Sequence, residues 1–149
     1  MIATVRQLVP ISVLVAVGGC ALHGDSLGGT EWQLVKFQSM SDEIGIIRPD
    51  DASVFTMRLN TDGTVNMRLD CNRANGTWSS SSSDGGDGGT FTFGLLASTR
   101  ALCQPPNLDE RITRDAEYVR SYVLRDERLY LSLMADGGIY VWELSKRSD

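Results

Sequence analysis

Residues 54–69 read VFTMRLNTDGTVNMRL, and this stretch decides the class of fold. Phe55, Met57 and Leu59 alternate with Val54, Thr56 and Arg58; further on, Val65, Met67 and Leu69 alternate with Thr64, Asn66 and Arg68. A period of two places successive side chains on opposite faces of a strand, so each run predicts a strand with one apolar face. Asn60-Thr61-Asp62-Gly63 between them is a turn sequence, and two alternating runs joined through Asp-Gly predict a β-hairpin.

The same signal continues outward from the hairpin. Glu31–Phe37 puts Trp32 and Leu34 on one face, and Thr77-Trp78 and Thr90–Phe93 read as further strands. Between the last two, residues 79–89 (SSSSSDGGDGG) offer no side chain for a core and are expected to be a mobile loop that folding can do without. The repeated Asp-Gly-Gly matches neither the EF-hand spacing nor the calcium-binding nonapeptide, so no metal is expected there. Tyr122–Leu124, Leu129–Met134 and Ile139–Leu144 form a closing meander, with turns at Asp126-Glu127 and Asp136-Gly137-Gly138. One helix precedes it: Pro105-Pro106 stops the chain, Asn107 is placed as N-cap with Glu110 as its capping-box partner, and Leu108, Ile112, Ala116 and Val119 share one face. The expected class is α+β, mainly antiparallel β, a curved sheet of about eight short strands with one helix packed on it.

Ahead of this domain, Arg6 is followed by an apolar run, Leu8–Val17, and then by Gly18-Gly19-Cys20. Charge, short apolar core and small residues are the layout of a secretory signal, and ending on a cysteine makes it resemble a bacterial lipobox. Ten apolar residues reach only about 15 Å as a helix, half the hydrocarbon thickness, so the run is too short to span a membrane. Residues 1–19 are expected to be removed and Cys20 acylated, with residues 20–29 as a Gly-rich tether and residues 30–145 as the domain. Multiple acyl chains anchor stably. Ala21 stands where lipoproteins kept in the inner membrane usually carry Asp, so the expected address is the outer membrane, with the domain facing the periplasm.

Without residues 1–19 the chain has 130 residues, enough for one domain, and a net charge of −6. Its charges are dispersed, and the absence of a Lys/Arg cluster argues against nucleic acid as a partner. The chain is expected to act as a monomer without a cofactor. With Cys20 lipidated, Cys71 and Cys103 remain; in an oxidising compartment they are expected to bond, against the alternatives of two buried thiols or a redox-active pair.

Two segments, DCNRANG at 70–76 and FGLLASTRALC at 93–103, resemble the paired signatures of the META/HslJ-like domain. GTEWQLV at 29–35, the helix and the final meander follow in matching order. The resemblance implies a mainly antiparallel sheet with a helix in bacterial envelope lipoproteins, often stress-associated, without an established enzymatic activity. Asp70, commonly Gly in the family, and the long 79–89 segment depart from the pattern. One cysteine in each signature implies a bridge that gathers Asn72, Arg73, Thr99 and Arg100 into a candidate patch. Two roles are open to it: architecture, with the asparagine and threonine bonding backbone and the arginines pairing with carboxylates, or a small site for an anion.

No catalytic residue is expected. The only histidine, His23, falls in the tether, where nothing packs it for nucleophilic or metal chemistry. The expected function is therefore a non-catalytic envelope domain supporting stress tolerance or outer-membrane integrity through protein or ligand contacts. The alternative is a binding or inhibitor module acting on an envelope or host hydrolase.

Overall fold

The computed structural model describes residues 27–83 and 85–147. The signal segment, Cys20 and His23 lie outside the described residues. Ten strands follow one another: β1 (Thr30–Gln38), β2 (Ile46–Ile47), β3 (Phe55–Leu59), β4 (Thr64–Leu69), β5 (Asn72–Ser82), β6 (Gly88–Phe93), β7 (Ala97–Ser98), β8 (Val119–Arg125), β9 (Arg128–Leu133) and β10 (Ile139–Arg147), with helix α1 (Leu108–Asp115) before β8. Eight of them, all but β2 and β7, pair antiparallel in an up-and-down order.

The sheet does not stay open. Strand β10 pairs with β1 from Thr30 opposite Arg147 to Gln38 opposite Ile139, and this closes the expected curved sheet into an eight-stranded barrel. Strand twist accumulates into coiling, and closure removes the unpaired edges an open sheet would leave. The β1–β10 ladder shifts register between Glu31 and Trp32 and again between Leu34 and Lys36. Such bulges bend a strand, and the second one resets the alternation so that Trp32, Leu34 and Phe37 all point inward.

The predicted hairpin is present: Phe55, Met57, Leu59, Val65, Met67 and Leu69 are all buried. In its turn Asp62 accepts from the amide and hydroxyl of Thr64, which hold its carboxyl below the usual range. With Trp142, Tyr122, Phe91 and Leu131, these side chains fill the barrel, leaving a residual space of about 10 Å³ beside Met67, Ile112 and Trp142. The interior is a core with no room for a ligand.

The segment 79–89 is not the expected mobile loop. Ser79–Ser82 continue β5 against β6, and Gly88 and Gly89 pair with Val123 and Tyr122 of β8. Ladder hydrogen bonds come from the backbone, so serine and glycine can build barrel wall without an apolar side chain to advertise it. Glycine is required at 89, where a Cβ would lie 2.0 Å from the Ser81 carbonyl oxygen. Of the described residues here only Ser83 and 85–87 lie outside the strands, and even so the Ser83 amide donates to the Gly88 carbonyl and the Asp87 carbonyl accepts from Leu124.

In an up-and-down barrel the connections alternate between two ends. Leu27 and the turns at 60–63, 83–87 and 126–127 lie at one end; segments 39–54, 70–71, 94–118 and 134–138 lie at the other. Helix α1 closes this second end with Leu108 and Ile112, while Ala116 falls in a following 3-10 turn and Val119 opens β8. The expected capping box does not form, because Asn107 adopts a left-handed backbone (φ 55°) and makes no side-chain cap. Instead the helix is pinned through Asp115, which accepts from the Tyr140 hydroxyl at 2.7 Å and from Arg114 at 3.2 Å, while Arg111 lies over the Phe37 ring.

Replacing residues 83–87 with a two-residue turn should change stability by about 1 kcal/mol or less, whereas excising 79–89 should unfold the domain; chemical denaturation compares them. Burial, and then the Asp115 charge, push the Tyr140 hydroxyl far above its ordinary range. Its contribution is therefore complete below about pH 10 and is lost above it, where the unfolded chain ionises and the folded chain does not. Tyr140→Phe should cost about 1–3 kcal/mol at neutral pH and flatten the alkaline decline in the melting temperature.

Candidate functional site

Strand β4 turns into β5 through Asp70, whose left-handed φ of 59° is a conformation that glycine adopts freely and aspartate tolerates. The turn delivers Cys71 and Asn72 to the helix end of the barrel. Cys71 is bonded to Cys103 with Cα atoms 5.6 Å apart, which tethers the long segment between β6 and α1.

Asn72 is 3 % exposed and bonds through both ends of its amide. Its Oδ1 accepts from the Thr99 hydroxyl and the Ala101 amide, each at 2.8 Å. Its Nδ2 donates to the Ala101 carbonyl at 2.9 Å and to Asp109 Oδ2 at 2.8 Å. Thr99 returns an amide to the Arg73 carbonyl and accepts the Arg73 amide on its hydroxyl. Asn72 and Thr99 thus take the architectural role, tying β5, the segment 96–103 and α1 together. Asp109, which the sequence offers only as a dipole-favoured first-turn residue, is a buried member of this network, and no spacing in the chain announces it.

The two arginines part company with that role. Arg73 and Arg100 are exposed, and among the described residues neither has an ion-pair partner. The expected bridges to carboxylates do not form, because Asp109 is taken by Asn72 and Asp115 by Tyr140 and Arg114.

Between the segment 96–102 and α1 lies an open cleft of about 520 Å³. Leu96, Ser98, Arg100 and Leu102 line one wall, Asp109, Glu110, Thr113 and Arg114 the other, and Asn72 the floor. The connections at this end of the barrel also carry exposed apolar side chains. Leu95 is 95 % exposed and Leu102 96 %, and Met40, Ile44, Ile46, Tyr118 and Met134 are exposed on the neighbouring connections. Of the large exposed apolar side chains described, Val123 alone sits elsewhere, on the wall of β8. Sequence reasoning found the arginines and missed the leucines and the helix wall of the cleft; the FGLLASTRALC signature contains Leu95 and Leu102, but nothing in it distinguishes exposed from buried leucine. Among the described residues no group of three His, Cys, Asp or Glu converges as a metal ion would require.

A closed antiparallel barrel whose one end is plugged by a helix and braced by a disulfide between two signature loops defines the class of this chain. The chain belongs to the META domain family, whose model matches residues 25–145. Among solved structures, a protein from Burkholderia xenovorans determined by NMR is 20% identical with a TM-score of 0.63, covering 81% of this chain and 85% of its own. A DUF4847-family protein from Bacteroides vulgatus, determined by crystallography, is 16% identical with a TM-score of 0.56, covering 83% of this chain and 97% of its own. At these identities the likeness is one of fold. No curated protein sequence matches the chain.

Asn72→Ala should destabilise the domain by about 2–4 kcal/mol, since it strands the Asp109 carboxylate and the Ala101 peptide in a buried site. Arg73→Ala and Arg100→Ala should each stay within about 0.5 kcal/mol of the parent. Urea denaturation of the three variants checks both expectations, and a large loss at either arginine would restore its architectural role.

Proposed function

We propose that this chain is a lipid-anchored envelope domain, tethered through Cys20 to the outer membrane, that works by holding a protein partner at the helix-plugged end of the barrel, without catalysis. One observation carries the reading: nearly all the large exposed apolar side chains described lie on the connections at that end, Leu102 among them on the lining of the cleft. Clustered apolar exposure on a soluble face marks an interaction site. Leu27 lies at the opposite end, where Thr30 donates to its carbonyl and Gly29 donates to Leu59. A tether running back from Leu27 to an acylated Cys20 would therefore turn the apolar end away from the membrane. Support of envelope integrity or stress tolerance, as the family resemblance implies, would follow from such contacts.

The inhibitor alternative survives in altered form. The segment 79–89 is mostly barrel wall, so an inhibitory element would have to be the disulfide-braced stretch around Leu102. In vivo photocrosslinking separates these ideas. A crosslinking residue in place of Leu102 should give a discrete adduct with an envelope protein, and one in place of Thr61, at the other end, should not. A hydrolase in the Leu102 adduct favours inhibition; adducts from Thr61 alone, or from neither position, would defeat the proposal.

A further inference from the structure

Barrel closure leaves a length of strand uncovered beside the cleft. Segment 97–99 pairs with β5, Ala97 opposite Asn75 and Ser98 opposite Ala74, and the Thr99 amide donates to the Arg73 carbonyl. In an antiparallel ladder the hydrogen-bonding residues alternate, so Ala97 and Thr99 direct their peptide groups at β5 and Ser98 directs its own away. Ala101 continues the inward set, its amide donating to Asn72. The outward set is Ser98, Arg100 and Leu102, and their backbone amides and carbonyls have no partner among the described residues. These same residues line the cleft, together with Leu96 and with Thr99 and Ala101 between them.

We propose that this edge binds an extended peptide as an added antiparallel or parallel strand, seated in the cleft between residues 98–102 and α1. The proposal rests on the reading of the helix-plugged end as the partner-facing end, and it names what that end recognises. Main-chain hydrogen bonds supply the grip and alternate side chains the selectivity, as in other strand-addition complexes. Strand β7 itself is Ala97–Ser98, and the Thr99 and Ala101 amide bonds carry its alternation on to Ala101, enough for one short segment.

The charges on the page specify its chemistry. Arg100 faces the cleft without an ion-pair partner, and Arg114 lines the opposite wall, its guanidinium shared with Asp115. Asp109 is occupied by Asn72, and Glu110 is the remaining carboxylate on the lining. A single acidic side chain suits this site; a run of them would meet Glu110. On the same face Leu102 lies two positions after Arg100 and Leu96 four before it, so the complementary segment carries an acidic residue with an apolar residue two positions away on the side that meets Leu102.

The probe is acetyl-Leu-Thr-Glu-Thr-Leu-amide bearing a fluorophore, titrated by anisotropy against the full chain in detergent micelles, with hydrogen exchange read at single amides. Expected are saturable binding and slowed exchange at Ser98, Arg100 and Leu102. Replacing the probe's Glu with Lys should weaken binding about tenfold or more, as should N-methylating alternate peptide nitrogens so that one edge cannot donate. Arg100→Ala should lose the Glu-over-Lys preference. Arg100→Pro should abolish binding while retaining the melting temperature, since the amide it removes points away from β5. If that variant fails to fold, the N-methylated probe on the parent chain decides alone. Equal affinity for methylated and unmethylated probes, protection elsewhere than residues 98–102, binding to anionic vesicles with none to the probe, or no binding up to about 1 mM would each overturn the proposal. A Leu102 photocrosslink persisting alongside any of these results would show that the partner-facing reading stands and only the strand-addition mode has failed.

Discussion

The pairing of β1 with β10 is the constraint on which everything else in this molecule depends. It joins the two ends of the domain: the Ser145 hydroxyl donates to the Glu31 carbonyl across 114 residues of sequence. Loop-closure entropy grows only logarithmically with length, so so distant a pairing costs little more than a closer one, and it satisfies two rows of backbone groups at once. Closure also fixes the volume inside. Eight strands enclose a space that Trp32, Trp142, Phe91, Tyr122 and their neighbours fill, so the barrel cannot act as a container. Function is displaced to the outside, and specifically to the one end where a long connection has to be accommodated.

That connection, from Gly94 to Tyr118, is held by three different kinds of bond. The Cys71–Cys103 disulfide limits its reach in the unfolded and folded chain alike, contributing about 3–4 kcal/mol in the chain-entropy picture. Asn72 supplies direction. A buried amide is stabilising only when both of its ends are satisfied, and here each is, by groups from two separate elements. The Asp115–Tyr140 bond then sets the far end of α1 on the barrel. With both carboxylates committed to structure, Arg73 and Arg100 are left outside the network, which converts residues that sequence logic assigns to architecture into surface available for recognition.

The fold was legible wherever burial leaves a pattern. The alternation in residues 54–69 announces a hairpin because one face meets the core and the other meets water, and the same holds for Trp32 and Leu34 and for the closing meander. The disulfide was legible from the cysteine count and from one cysteine falling in each signature. Two features were not. Ser79–Ser82 and Gly88–Gly89 make strand through their backbones, and backbone pairing imposes no side-chain period when the residues are small and polar. The closed barrel was hidden for a related reason: closure is a property of register and bulges, which no local window contains. In the site, Asn72 and Thr99 could be grouped through the two signatures, but the helix wall and Asp109 meet them only through tertiary folding, and the exposure of Leu95 and Leu102 reverses what their composition suggests.

The remaining question is why an edge should survive in a fold whose closure removes edges. Unpaired strand invites aggregation, and proteins usually keep such edges short, charged or covered. Segment 98–102 is short, carries Arg100 and is recessed against α1, so a broad sheet from another molecule cannot dock on it while a single narrow segment can. The β6–β8 pairing spans just Gly88–Thr90 against Ser121–Val123, and the edge lies outside it, in the connection between β6 and α1 that pairs only with β5. Because the disulfide and Asn72 hold the edge in register before anything binds, a partner would meet an ordered segment and would not have to fold one, and preorganisation of this kind lowers the entropic cost of recognition at the helix-plugged end.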